Sequence, residues 1–369
     1  MCALCEQVRN LIKLGIAGCG TITQREHLPH LIGIVGVDNL VLCDISEDVV
    51  NKLAKRHRVA ETFTDYHDFL DKGNFDAVII CTPYPFHSSH IMEAINAEKH
   101  VFVEKPMCMT VKDAERIVEA RQNMDGLVTQ VGYQRTFDPA HKLVEERLQK
   151  MDDLRLIRAH HFQNAHKLAY SERLTPFIAG RIPEEAKIAL LKAVKHQVNE
   201  QFGKVSPLIS SVYCHLLDVA THQIDYVRGL LGDPSRVLYS DIWGREGSLC
   251  TISVLEYSNG LRCVFEQGQA HQRKYRDPEI VAYSASETLT MIEPMGGPCT
   301  VEVRSGTKEI MSLNIISSYE NNYRRELLHF IDCVENKKTP KITVEDGLKA
   351  IKISAAIIES YLQHEPIDL

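Results

Sequence analysis

The sequence predicts an α/β protein in two parts. A doubly wound parallel sheet comes first, followed by an α/β domain built on an open, mainly antiparallel sheet. Residues 12–125 alternate short, wholly apolar runs with stretches of helical periodicity, the pattern of a parallel sheet covered by helices on both faces. Beyond them the apolar runs lengthen, and Ser258-Asn259-Gly260 separates two of them as in a hairpin. We place the boundary so that residues 1–132 form the first domain and 133–369 the second. A chain of 369 residues, 44% hydrophobic and 25% charged, suits two ordinary globular domains.

The elements follow in order. The runs 13–18, 39–44, 77–81, 100–104 and 127–131 read as parallel strands, with a helix opening at Ser46 whose first turn carries Glu47 and Asp48. In the second half, 154–162, 236–243, 250–257, 261–267, 288–293 and 300–314 read as strands. The stretches 323–336 and 344–364 read as helices that return to brace the first domain. Residues 164–214 stand apart, and 183–202 form an amphipathic helix with Ala186, Leu190, Val194, Val198 and Phe202 on one stripe. That stripe suits core or subunit contact, or a lid that shapes the substrate pocket.

Composition excludes several roles. The net charge of −7 comes with no basic block, which argues against a nucleic-acid or anionic-membrane partner. No apolar run reaches the ~18–20 residues that span a bilayer. The opening Met1-Cys2-Ala3-Leu4-Cys5-Glu6 lacks the basic start and apolar core of a secretory signal, so a cytoplasmic location is expected. The 11 cysteines are scattered through apolar segments, as reduced buried thiols would be. Cys2 and Cys5 have no second ligand pair at finger-like spacing, so no metal is expected.

After the first strand comes Gly18-Cys19-Gly20-Thr21-Ile22-Thr23, a G-x-G-x-x-T turn. Its glycines permit a tight turn and close approach of backbone amides to a pyrophosphate, and the next helix points its positive end at that anion. Thr23 in place of a third glycine should hold helix and strand slightly further apart. Asp44 follows Gly20 by 24 residues and ends the second strand, where a carboxylate bonds ribose hydroxyls and repels a 2′-phosphate. Gly18, Gly20, Thr21, Ile22 and Asp44 are therefore candidate contacts of a dinucleotide, NAD in preference to NADP. The first domain then reads as a Rossmann domain.

Thr82, Pro83, His87, Glu104 and Lys105 lie at the ends of the third and fourth of these strand runs, on the edge where such sheets bind ligands. Far downstream, Asp218-x-x-x-His222-x-x-Asp225 puts Asp218 and His222 on one face of a helix. A lysine, an aspartate and a histidine meeting over a nicotinamide suit alcohol oxidation, in which hydride leaves carbon while a base takes the hydroxyl proton.

Taken together, these motifs resemble the Gfo/Idh/MocA oxidoreductases, the family of glucose–fructose oxidoreductase and inositol dehydrogenase. The resemblance runs over nearly the whole chain: the glycine turn, Thr82-Pro83 with His87, His100-Val101 through Glu104-Lys105-Pro106, Gly132 with Arg135, Asp218 with His222 and Asp225, and the C-terminal Phe330-Ile331 and Glu345-Asp346-Gly347. It implies homo-oligomers that pair their open sheets face to face. It also implies that Glu104 positions the cofactor, that Lys105 lies near nicotinamide and substrate hydroxyl, that Asp218 orients substrate, and that His222 is the acid/base. Members differ in whether the lysine or the histidine takes the proton. We expect His222, because the imidazole reference pKa of ~6.5 lies near working pH whereas that of lysine is ~10.4.

The chain departs from the family at Tyr213-Cys214-His215, where many members carry glycines, and in its long interval between Lys105 and Asp218. Candidate substrate contacts are Arg135, His161, Asn164, His166 and His215, besides Asp218 and His222. His160 and His161 point to opposite faces of one strand, so at most one serves the pocket. His27, His30 and His90 are read as capping or packing histidines. The expected function is an NAD-dependent dehydrogenase acting on a secondary ring hydroxyl of a sugar, polyol or glycoside, with the 3-hydroxyl of a glucoside as the narrower expectation. Two alternatives share the fold: a glycosidase that uses NAD for transient oxidation, and a non-catalytic NAD-sensing regulator. A sensor needs none of Lys105, Asp218 and His222.

Overall fold

The computed structural model describes residues 12–151, 153–164, 178–180, 182–245, 248–270, 279–293, 298–306 and 311–369. Cys2 and Cys5 lie outside them. The N-terminal sheet has six parallel strands: β1 (Leu14–Ala17), β2 (Leu40–Cys43), β3 (Glu61–Phe63), β4 (Ala77–Ile80), β5 (His100–Glu104) and β6 (Thr129–Gly132). Their order is β3-β2-β1-β4-β5-β6. Every residue of β1, β2 and β4 is buried, because helices cover both faces. The order reverses between β1 and β4, which opens the ligand crevice at their carboxyl ends. The edge strand β3 was not anticipated. It has three half-buried residues and no apolar run to announce it.

The helices are α1 (Leu28–Val35), α2 (Glu47–His57), α3 (Tyr66–Lys72), α4 (His87–Asn96), α5 (Val111–Gln122), α6 (Pro139–Leu148), α7 (Glu184–Phe202), α8 (Pro207–His215), α9 (Thr221–Leu231), α10 (Asn322–Asn336) and α11 (Val344–Gln363).

The second sheet has nine strands among the described residues, in the order β14-β13-β12-β11-β7-β10-β9-β8-β15. Its centre is β7 (Leu156–Asn164), which runs parallel to β10 (Arg262–Ala270); the other pairings are antiparallel. The predicted hairpin joins β9 (Ser248–Glu256) to β10. Gly260 takes φ 87° there, and Asn259 Oδ1 accepts the Leu261 N–H at 3.0 Å. The flanks are β8 (Arg236–Arg245), β11 (Glu279–Tyr283) and β12 (Glu287–Ile292). The run 300–314 is not one strand but two, β13 (Thr300–Ser305) and β14 (Met311–Ile316), paired antiparallel. The short β11 and two-residue β15 (Ile367–Asp368) carry too little periodicity to be read from sequence.

Both C-terminal helices pack against the parallel sheet. Leu327, Phe330 and Cys333 of α10 are fully buried in one cluster with Leu14, Ile16 and Leu28, and the Phe330 ring stands edge-on to Phe102 at 5.6 Å. Helix α11 starts with a capping box between Thr343 and Asp346. It packs on α5 and β6 of the first half and on β8 of the second. Gly347 makes this approach possible, since a Cβ there would lie 2.8 Å from Met107 Sδ. The stripe predicted on α7 faces inward. Val198 is buried and its four companions are half-buried, whereas Ile188 and Leu191 face solvent. The nine described cysteines are free thiols, and no described helix is long and apolar enough to cross a membrane.

Phe330→Ala should destabilise the fold by about 3–5 kcal/mol, the usual penalty for emptying a packed aromatic site. Urea denaturation would read this as a lower midpoint at unchanged slope.

Candidate active site

The glycine turn follows β1 directly. Gly18 has φ 91°, and a Cβ there would sit 2.5 Å from the carbonyl oxygen of Cys81, so only glycine fits between β1 and β4. A Cβ on Gly20 would meet nothing within 4 Å, which leaves its backbone approachable from the crevice. Thr21 and Ile22 are half-buried at the turn. Thr23 does not leave a gap. It is fully buried and its hydroxyl donates to the Gly18 carbonyl at 2.6 Å, while the chain opens its helix with a π turn over Thr23–His27. Asp44 Oδ2 accepts the Cys19 N–H at 2.7 Å and Oδ1 the Ser46 N–H at 2.8 Å. The carboxylate is thereby pinned to the turn whose pyrophosphate partner it would flank. These residues fit a dinucleotide: a close-approach turn, a helix N-terminus and a ribose-directed carboxylate on one edge.

The ends of β4 and β5 form the next wall. The Thr82 hydroxyl bonds His90 Nδ1 at 2.8 Å, and Pro83 is exposed at the loop. His87, expected among the cofactor contacts, instead lies buried behind the edge. Its ring nitrogens are 2.7 Å from the carbonyl oxygens of Thr82 and Pro106, so it ties the two loops together. The Lys105–Pro106 peptide is cis. Glu104 is buried; its Oε1 lies 2.7 Å from His27 Nε2 and its Oε2 accepts the Lys105 N–H at 3.2 Å. His27, read from sequence as a packing residue, is thus the fully buried partner of Glu104. Burial lowers its proton affinity, but the Cys81 thiol and the Glu104 carboxylate raise it by more, and the net value is well above that of a free imidazole. Its place in the first turn after the glycine motif was the available signal.

The second half supplies the facing groups. Helices α8 and α9 are joined by a π turn over Leu216–Ala220, within the run that the sequence reads as the helix carrying Asp218 and His222. Such turns recur at functional sites. Asp218 sits in it, and Lys105 Nζ reaches across to donate to its carbonyl at 2.6 Å and to Oδ1 at 2.7 Å. His222 follows one turn later, 7% exposed, with its ring 6.3 Å from that of Tyr133. The Tyr133 hydroxyl bonds Thr221 Oγ1 at 2.9 Å. Tyr84, which the sequence reading did not single out, and Cys214, from the stretch that departs from the family pattern, hydrogen-bond to each other beside Asp218, and burial pushes both protons towards higher pH.

The proposed substrate contacts divide. His215 is buried at the end of α8, in the turn before Asp218. His161 is fully buried on β7, whereas its neighbour His160 takes the other face and meets Glu279 at 3.3 Å. Arg135 is buried and engaged, its Nε 3.3 Å from the Glu293 carboxylate. Asn164 closes β7, and His166 lies outside the described residues. Asp225 is buried on α9. It accepts from Thr136 Oγ1 at 2.6 Å, and burial pushes its carboxyl up to about 7 despite Arg228 Nη1 at 3.9 Å.

Two predictions follow from this geometry. Gly18→Ala places a side chain against the Cys81 carbonyl and should abolish nucleotide binding in an NADH fluorescence titration. Asp225 holds its proton more tightly folded than unfolded, so its contribution favours the fold below the ordinary value of 3.8 and declines as pH rises through about 7. Asp225→Asn removes that decline. The melting temperature of the variant, relative to wild type, should climb between about pH 4 and about pH 8.

Comparison with known proteins identifies the family. Residues 12–133 match the model of the oxidoreductase family NAD-binding Rossmann fold, and residues 213–369 match that family's C-terminal α/β domain. Myo-inositol 2-dehydrogenase of Thermotoga maritima is 22% identical over 97% of this chain and 98% of its own. Inositol 2-dehydrogenase of Salmonella typhimurium is 33% identical over 35% of this chain and 39% of its own. Among solved structures, levoglucosan dehydrogenase with NADH superposes with a TM-score of 0.73 at 15% identity, over 97% of this chain and 98% of that one. Myo-inositol 2-dehydrogenase of Lactobacillus plantarum does so at 0.72 and 20%, over 97% and 99%. The glycine turn, the Glu104-Lys105-Pro106 strand end and the two matched domains place this chain in the Gfo/Idh/MocA family, as an NAD-binding oxidoreductase of the dehydrogenase type.

Proposed function

We propose that this enzyme oxidises a secondary ring hydroxyl of a sugar, a cyclic polyol or a glycoside. The observation that carries the reading is the meeting of Lys105, from the Rossmann strand end, with Asp218, from the second half, one helical turn before His222. Bound NAD supplies the pyridinium ring that accepts hydride. Lys105 donates a hydrogen bond to the reacting oxygen and stabilises charge as it develops there. Asp218 accepts from a hydroxyl of the ring and orients it. His222, walled by Tyr133, takes the hydroxyl proton as general base. Relatives named as inositol and levoglucosan dehydrogenases support a cyclic polyhydroxylated substrate. His161 and His215, with residues 134–212 lying between the two matched regions, favour a bulky one, and a glycoside oxidised at its 3-hydroxyl is the narrower reading. The outer face of the nine-stranded sheet leaves Tyr239 and Trp243 half exposed, which supports pairing with a second copy of the chain.

A panel of inositols, hexoses and glycosides assayed for NAD reduction tests the substrate class. Lys105→Ala and His222→Ala should each lower kcat by about 10²–10⁴-fold while NADH still binds. Wild-type rates in both variants would refute the assignment. Trp243→Asp should shift the sedimentation profile towards the single chain.

A further inference from the structure

Residues 178–180 and 182–202 belong to the stretch between the two matched domains, yet they are tied along the carboxyl edge of the parallel sheet. At one end is Gln24, 2% exposed in the π turn after the glycine motif. Its Nε2 donates to the Ile178 carbonyl at 3.0 Å and its Oε1 accepts the Ile178 N–H at 2.9 Å. The same Nε2 lies 2.8 Å from the carbonyl of Cys19, the residue whose N–H Asp44 holds. The Ile178 side chain packs on the cluster formed by β1, α1 and α2. Gly180 is pressed against α2 so closely that a Cβ would lie 2.0 Å from Val49 Cγ2 and 2.7 Å from Ser46 Oγ. At the other end, Gln197 Nε2 of α7 donates to the Pro85 carbonyl at 2.7 Å, and Gln201 Oε1 accepts the Val111 N–H at 2.9 Å. One segment is therefore fastened beside the ribose-directed Asp44 and again beside the β4 loop that carries Thr82 and Pro83.

A dinucleotide on a Rossmann edge lies between those two places. We propose that residues 178–180 and 182–202 form the outer wall of the dinucleotide site and retard NAD(H) release, with Gln24 and Gly180 as its fastenings. The inference rests on the reading that NAD binds this edge. Slow release behind an ordered segment is a common limit on turnover. Loss of two ordinary hydrogen bonds at Gln24 corresponds to roughly a ten- to hundredfold faster opening.

The test is a chase: protein preloaded with NADH is mixed with excess NAD⁺ and the loss of bound-NADH fluorescence is followed. Gln24→Ala should raise the release rate roughly ten- to hundredfold. Gly180→Val, which expels the segment from α2, should act in the same direction. Circular dichroism establishes that each variant is folded, and the Gln24 variant carries the test should Gly180→Val not fold. In wild type, hydrogen exchange at the Ile178 amide should slow when NADH is added. Equal release rates in wild type and folded Gln24→Ala, with normal NADH affinity, would overturn the wall alone. Failure of wild type to bind NADH in an equilibrium titration would overturn the underlying reading as well.

Discussion

Lys105 and Asp218 are 113 residues apart in sequence, and their contact is what makes one site out of two halves. It contributes little to stability. The Asp218 side chain is 53% exposed, and pairs screened by water contribute about 0–1 kcal/mol. Its importance is positional, so both ends must be held by other means. Lys105 is held from beneath, by Glu104 on its own N–H and by the His87 bridge between the Thr82 and Pro106 carbonyls. Asp218 is held by the π turn, which interrupts the helix at the residue that meets the lysine.

The underside of this site is an unusual place to keep charge. Glu104 and His27 are buried as a pair, and Glu326 of α10 lies near them, fully buried with neither carboxylate oxygen hydrogen-bonded among the described residues. Burial first, and then the neighbouring Glu104, push the Glu326 proton affinity far above the carboxylate range. Two adjacent buried carboxyls cannot both ionise cheaply, so the cluster keeps a proton that bulk solvent would remove. A core built for stability alone would put apolar side chains here. Its location directly under the Glu104-Lys105 peptide links that cost to the site.

The C-terminal helices close the architecture. Helix α10 seals the first core through Phe330, and α11 lies against both sheets with Gly347 permitting close approach to Met107. The halves are therefore not loosely joined, and the crevice between them has packed walls. The intervening segment adds a further contact through Ile178 and α7, which brings chain from the second half onto the nucleotide edge.

The division between sequence and tertiary structure follows the range of the forces involved. Strands buried on both faces must be apolar throughout, and the tight turn at Gly18 needs glycine, so β1, β2, β4, β5, the turn and the carboxylate of Asp44 were legible in the chain. The 258–260 hairpin and the inward stripe of α7 were legible for the same reason, because local backbone geometry and periodicity encode them. β3, β11 and β15 were not, since so few residues carry no period and their pairing is decided by neighbours. The hydrogen-bonding of His27 and His87 also escaped the sequence. A histidine's role is set by whatever lies across from it, here Glu104 for one and two carbonyl oxygens for the other. Only folding brings Glu104 and the Pro106 carbonyl to them, from 77 and 19 residues away.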